Sequence, residues 1–347
     1  MSVPLGNTSI IYTEIDSGEI ISDEVGQLTM RILMYLITPA ISAFGVLGNM
    51  VSIPVLVKHG VHKSSNILLI NLAITNTVYL IAFNSVPKIL YEAVQDHQFV
   101  GVSESEARVL FVFFSVFTFF DYSFGLMALS LPMLITLERL FAVFCPMSFH
   151  RIITSSRTWI VVVIVAVYWI SIFVYSSFWL ELKYVITPQT NTTSYRIVNS
   201  QTFEENPEAV VAVENLFIYT SSIIPPIFTA TGCVAISLKL KSVTHKRKAM
   251  TSNSKASSRT TKTLLAVCFL YVVTSAVTSV PMFIPQYASY SLTDEAPTNL
   301  SKILYQLLNI IGCINSSSDF LVYIVFNKKF RHILLALMKG PSAISPK

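Results

Sequence analysis

Three carboxylates and one guanidinium sit where charge is costly. Asp121 lies within an apolar run between Arg108 and Arg151, whose heart reads VFFSVFTFFDYSFGLMALSLPMLITLERLFAVFCPMSFHR. The same run ends in the pair Glu138–Arg139 and breaks at Pro146. Asp319 lies in a second apolar run near the carboxyl end. A charge inside a membrane segment costs roughly 3 kcal/mol on insertion scales, so such groups face a bundle interior or a water-filled cavity. Asp121 is placed to hold a cationic group or to pair internally. Glu138 and Arg139 are placed to act as a switch, or as an ordinary interfacial ion pair. About 18 residues separate the two charged places, near 27 Å at 1.5 Å per helical residue. That is most of a bilayer.

Other chemistry is poorly served. The four cysteines, Cys145, Cys233, Cys268 and Cys313, have no metal-like spacing, and histidine occurs only in loops and the tail. No metal site, cofactor or disulfide is expected. An intramembrane protease would need two facing aspartates or a His/Glu metal cluster. A channel or transporter would need polar residues spread along several segments or an internal repeat, and seven segments do not divide into equal halves. No basic run interleaved with aromatics points to nucleic acid.

The elements that must position these charges are membrane helices. Of the 347 residues, 53% are hydrophobic and only 12% charged, with mean hydropathy +0.62. Runs of about 20 apolar residues are long enough to cross a bilayer. Seven occur, at 31–57, 65–91, 108–142, 157–180, 213–240, 261–287 and 300–326. The expected class is an all-α membrane protein, a seven-transmembrane helix bundle. Residues 1–30 form a polar, acidic tail without the pattern of a cleavable leader. Residues 327–347 carry a short amphipathic eighth helix at 328–338, with Phe330, Leu334, Leu337 and Met338 on its apolar face.

Charge sets the orientation. The loops after segments 1, 3 and 5, together with the tail, hold 18 of the 24 basic residues. The positive-inside rule puts that side in the cytoplasm and the amino terminus outside. All 16 acids other than Asp121, Glu138 and Asp319 fall on the opposite side. Three N-glycosylation sequons, at Asn7, Asn191 and Asn299, fall there too. The expected location is the plasma membrane, multi-pass, with an extracellular amino terminus. The Ser/Thr-rich loop THKRKAMTSNSKASSRTTK reads first as a solvated basic loop and second as a phosphorylation target.

An ordered set of residues across these segments resembles the rhodopsin-like (class A) G protein-coupled receptors. It comprises Gly48-Asn49, Asn71-Leu72-Ala73, Glu138-Arg139-Leu140 with Pro146 downstream, Trp169, Pro225-Pro226, Pro281, and Asn315-Ser-Ser-Ser-Asp319-Phe-Leu-Val-Tyr323 followed by Phe330-Arg331. The resemblance implies an extracellular ligand, a heterotrimeric G protein as partner, and signalling by population shift. It implies that Glu138 and Arg139 form the switch, with Pro146, Pro281, Asp319 and Tyr323 supporting coupling. It also implies a buried polar cluster of Asn49, Asn76 and Asp319.

The departures are equally specific. Asn76 and Asp319 have exchanged the usual acid and amide. Ala128 replaces a serine, Phe320 the proline of the seventh segment, and Ser279 the aromatic residue before Pro281. Cys233-Val234 offers no tyrosine to partner Tyr323, and Thr261 no acid to restrain Arg139. Phe114 stands where the family places a cysteine, and the loop from Glu181 to Glu214 has none. That loop must be held by packing, glycan or ligand.

Asp121 matches the position that binds ammonium groups in amine receptors, but the aromatic cage is poor. The ending of the third segment and the style of the seventh are closer to invertebrate neuropeptide receptors and their divergent chemosensory relatives. A peptide or other chemosensory ligand is therefore the first expectation; an amine, or a silent member of the family, is the alternative. Depth alone selects Asp121, Tyr122, Gly125, Phe283, Gln286 and Gln306 as pocket residues.

Overall fold

The computed structural model describes residues 21–85, 98–100, 103–187, 192–248, 255–279 and 298–338. Six helices are long and apolar enough to cross a membrane: Asp23–Lys58, Ser64–Phe83, Glu104–Phe144, Ser155–Trp179, Pro207–Ser242 and Asn299–Phe326. These are spans one to five and span seven. Span six is the helix Lys255–Thr278, apolar over Leu265–Thr278. A last helix, Lys328–Met338, follows the seventh span. The chain thus folds as the seven-helix bundle with an eighth helix. On the fourth span, Ile160, Val163, Ile164 and Val167 are exposed, as expected of a face whose solvent is lipid.

Proline shapes two of the spans. The first consists of α1 (Asp23–Ile32), a π-turn (Leu33–Ile37) and α2 (Thr38–His59), with Pro39 in the first turn of α2. The fifth repeats the arrangement: Pro207–Phe217, a π-turn at Ile218–Ile223, then Ile224–Lys248 beginning Ile-Pro-Pro. A proline ring collides with the carbonyl four residues back and supplies no N–H. Widening the preceding turn to π geometry relieves both.

Several boundaries lie outside the apolar runs. The first span begins at Asp23 rather than 31 because its opening turns are amphipathic, with Asp23 and Glu24 at the end where the helix dipole favours anions. The third begins at Glu104, where Ser103 and Glu106 form a reciprocal capping box. The fifth begins at Pro207, a residue suited to the first position of a helix. Hydropathy sees none of these devices. The second helix ends at Phe83, and residues 86–97 lie outside the described residues.

Span one packs closely on span seven. A Cβ at Gly45 would overlap the Ser317 side chain, and one at Gly48 would come within 2.9 Å of Phe320. The main core lies around the third span: Leu131, Ile135, Trp169, Tyr323 and Phe330 belong to one buried cluster. Phe330 pins the eighth helix beneath the seventh span, its ring 5.4 Å from that of Tyr323.

The outer loop between spans four and five forms an antiparallel hairpin of β2 (Leu180–Thr187) and β3 (Thr192–Asn199), in register from Leu180↔Asn199 to Thr187↔Thr192. β1 (Gln98–Val100) pairs with the other edge of β3. The hairpin rests on the third span through a separate cluster: Phe114 and Ile197 are its buried pair, with Leu110, Phe111, Leu180, Leu182 and Tyr195 around them. An aromatic ring thus holds this loop at the place where the sequence lacks a cysteine.

Candidate functional site: an outer acid, a central amide and an inner arginine

Near the outer end, Asp121 is buried at 4% exposure on the third span. Its neighbour across the bundle is Tyr79 of the second span, which interacts electrostatically with Asp121, Cys313 and Tyr305 and shares a hydrogen bond with Cys313. Gly125, one turn inward from Asp121, leaves room for that ring: a Cβ there would sit 3.0 Å from Tyr79 Cδ2. Gly125 thus lies against the tyrosine ring whose hydroxyl feels the charge of Asp121. Tyr79 carries no charge to single it out in the sequence, although it stands three residues after Asn76 and so shares its helix face.

Tyr122 is 36% exposed and its ring stacks on Phe173 of the fourth span, 5.5 Å between centroids and 16° between planes. Asp121, about 100° away around the helix, is buried, so the two side chains look to different neighbours. Gln306 faces inward but is engaged: its Nε2 donates to Thr38 Oγ1 at 2.9 Å, tying span seven to the π-turn of span one. Phe283, Gln286 and Pro281 lie outside the described residues, as do Asn7 and Asn191. Asn299 opens the seventh span, and its Nδ2 donates to Asp23 Oδ1 at 2.8 Å.

In the middle of the bundle, Asn76 Nδ2 donates to Asp319 Oδ2 at 2.9 Å. Asn49 Nδ2 donates to the Ser316 carbonyl, also at 2.9 Å, so it joins the seventh span one turn from Asp319. The exchanged acid and amide thus still meet. Asp121 belongs with Tyr79 and Asp319 with Asn76, two separate polar clusters rather than a catalytic dyad. The Tyr323 hydroxyl is buried with no hydrogen-bond partner among the described residues.

At the inner end Glu138 is 4% exposed and collects donors from two elements. Arg139 contacts both its oxygens, Nη2 to Oε1 at 2.8 Å and Nε to Oε2 at 2.5 Å. Ser64 and Ser65, at the start of the second span, donate to Oε1 at 3.0 and 2.9 Å. Arg139 also reaches the Ser65 hydroxyl. A buried carboxylate is tolerable when it is paired and hydrogen-bonded in this way. The two serines escaped the sequence analysis; hydroxyls opening a helix beside Lys63 were the available signal. Pro146 starts a short exposed helix, Pro146–Ile152, directly after the third span.

An acid in the outer half, an acid–amide pair in the middle and a clamped arginine at the inner end thus line one helical bundle. Residues 48–323 match the family 7 transmembrane receptor (rhodopsin family). The chain belongs to this family of G protein-coupled receptors. The match starts at Gly48-Asn49 and ends at Tyr323, so it takes in all three polar clusters. No curated protein matches the chain. The chain is accordingly a multi-pass membrane receptor that signals through G proteins, and not an enzyme.

Proposed function

We propose that the receptor sits in the plasma membrane with its amino terminus outside and responds to a basic peptide or similar chemosensory ligand. The observation that carries this reading is the distribution of acid on the proposed outer side. Asp121 is buried in the bundle, and Glu104, Glu106, Glu204, Glu205, Glu208 and Glu214 are exposed at the ends of spans three and five on that side. Exposed acids raise the encounter rate of a cationic ligand by electrostatic steering, and a buried carboxylate holds its cationic group once water is excluded. Asp121, Tyr122, Gly125, Phe283, Gln286 and Gln306 are the proposed pocket residues, with Tyr79 added.

At the other end Arg139 is the proposed switch. Ligand binding favours the arrangement in which Arg139 leaves Glu138 and Ser65 for the G protein. Pro281 provides the pivot in span six. Pro146 ends the switch helix, and Asp319 and Tyr323 carry the change along span seven. Asn7, Asn191 and Asn299 are the proposed glycan sites, the residues ahead of Asp23 the outer tail, and 327–347 the eighth helix with the inner tail.

The test is second-messenger output in cells expressing a promiscuous G protein, with a panel of amidated basic peptides and amines. A peptide response is expected, weakened more than tenfold in potency by Asp121→Asn. It should be lost in Arg139→Ala at unchanged surface level. A response confined to small amines overturns the ligand class in favour of an amine receptor. Surface protein silent to every compound overturns the signalling role.

A further inference from the structure

The mechanism above makes no use of the cysteines, and two of them meet. We infer that Cys233 and Cys268 form a reversible thiol–disulfide site that joins the fifth and sixth spans near their cytoplasmic ends. Across the span interface Cys233 packs against the buried cluster that holds Cys268, and the two thiols interact there. Thr136 of the third span completes the group, its Oγ1 lying 3.3 Å from Cys268 Sγ. Cys268 Sγ also faces the Pro132 carbonyl at 3.8 Å. Gly232 lets the fifth span close on the third beside Thr136, because any Cβ there would overlap Thr136 Cγ2.

Two sulfurs do not make a closed metal site, which takes four ligands, and no group of three or more metal-binding side chains occurs among the described residues. Redox chemistry is what remains to a contacting pair of thiols. Cys233 is half-buried and Cys268 almost fully buried, so Cys233 is the more accessible sulfur. Lys239 and Lys262 each stand six residues towards the cytoplasm from a cysteine, roughly 9 Å along a helix. A small neutral peroxide crosses that distance without charge cost.

Hydrogen peroxide is the oxidant proposed. The Cys233 thiolate attacks one peroxide oxygen, the O–O bond breaks, and protonation of the leaving oxygen gives water and a Cys233 sulfenic acid. Cys268 sulfur then attacks the sulfenic sulfur, the S–O bond breaks, and the second water leaves. Two thiols have lost two electrons and two protons, and one peroxide has become two waters. Thiol exchange with a small neutral thiol reverses the step through a mixed disulfide, in keeping with the transient disulfides of a reducing cytosol. The bond replaces a non-covalent contact between spans five and six by a covalent link. On the receptor reading above, that link fixes spans five and six to each other where the cytoplasmic face must open, and it lowers signalling.

The chemical test uses membranes holding the full chain with Cys145→Ser, treated with hydrogen peroxide, blocked with N-ethylmaleimide and mapped by mass spectrometry. The expected product is a peptide pair linked through Cys233 and Cys268, absent in Cys233→Ser and in Cys268→Ser and released by dithiothreitol. Cys313 provides the internal control, since it is buried and reacts only after denaturation. Both thiols alkylated separately, or Cys233 oxidised alone to the sulfinic acid, overturns the site. Signalling is read separately in the same cells before and after peroxide, with Cys233→Ser as the insensitive control. A disulfide with unchanged output keeps the site and overturns its coupling to the receptor switch.

Discussion

Ser65 bears on the resting state more than its size suggests. Its hydroxyl donates to Glu138 and meets the Arg139 guanidinium, so it secures both members of the switch pair from a second helix. Thr261 stands where the receptors that the sequence resembles carry an acid to restrain the arginine, and here Ser65 of the second span contacts Arg139 instead. Ser65→Ala removes a bond worth about 1 kcal/mol and leaves the ion pair in place. Basal G protein output should rise about fivefold, since 1.4 kcal/mol is a factor of ten. Unchanged basal output would show that the ion pair alone sets the resting population. Asp319→Ala leaves the Asn76 amide buried without its acceptor, at a cost of about 1–3 kcal/mol. A lower melting temperature of the detergent-solubilised receptor is expected, with most of the loss recovered in Asp319→Asn. The sequence pointed to these charged residues because charge in an apolar run is rare. It could not point to Ser65, because hydroxyls are cheap anywhere and only the third dimension shows what they touch.

At the scale of elements, periodicity and length made the spans legible, and local chemistry hid their ends. Capping boxes, amphipathic opening turns and π-turns leave hydropathy almost unchanged, yet they move helix starts by several residues. The outer hairpin was still less visible: no disulfide marks it, and the alternation in Leu180–Thr187 is short. Phe114 fastens it to the third span against Ile197. Phe114→Ala opens a cavity costing about 3 kcal/mol at that contact. Hydrogen exchange of the β2–β3 amides should quicken at least tenfold while the core of the third span stays protected. Equal protection in both proteins would assign the hairpin's order to its own ladder instead.

For the whole molecule, the separation of basic from acidic residues is what supports the proposed orientation. An epitope at the amino terminus should therefore be stained on intact cells, and one at the carboxyl terminus only after permeabilisation. Peptide N-glycosidase should reduce the apparent mass. Removing Asn7 and Asn191 together should account for most of the shift, because Asn299 is already engaged by Asp23. Overall architecture was readable because seven apolar runs leave few ways to satisfy backbone hydrogen bonds in lipid. Which helix faces meet was not readable, as Tyr122 shows: hydropathy reports depth in the bilayer and is blind to rotation about the helix axis.

The hairpin's seat on the third span is an apolar cluster around Phe114 and Ile197, and its base is closed by the hydrogen bond from Ser200 N to the Trp179 carbonyl at 2.7 Å. Such a flap answers to solvent and temperature rather than to redox potential. Extracellular reductant finds no bond to cut, so the outer face keeps one shape in oxidising and reducing surroundings. Cooling, which weakens apolar association, loosens it instead. Dithiothreitol outside the cell should leave the receptor's dose–response curve in place, and the residence time of whatever lies beneath the flap should follow the thermometer.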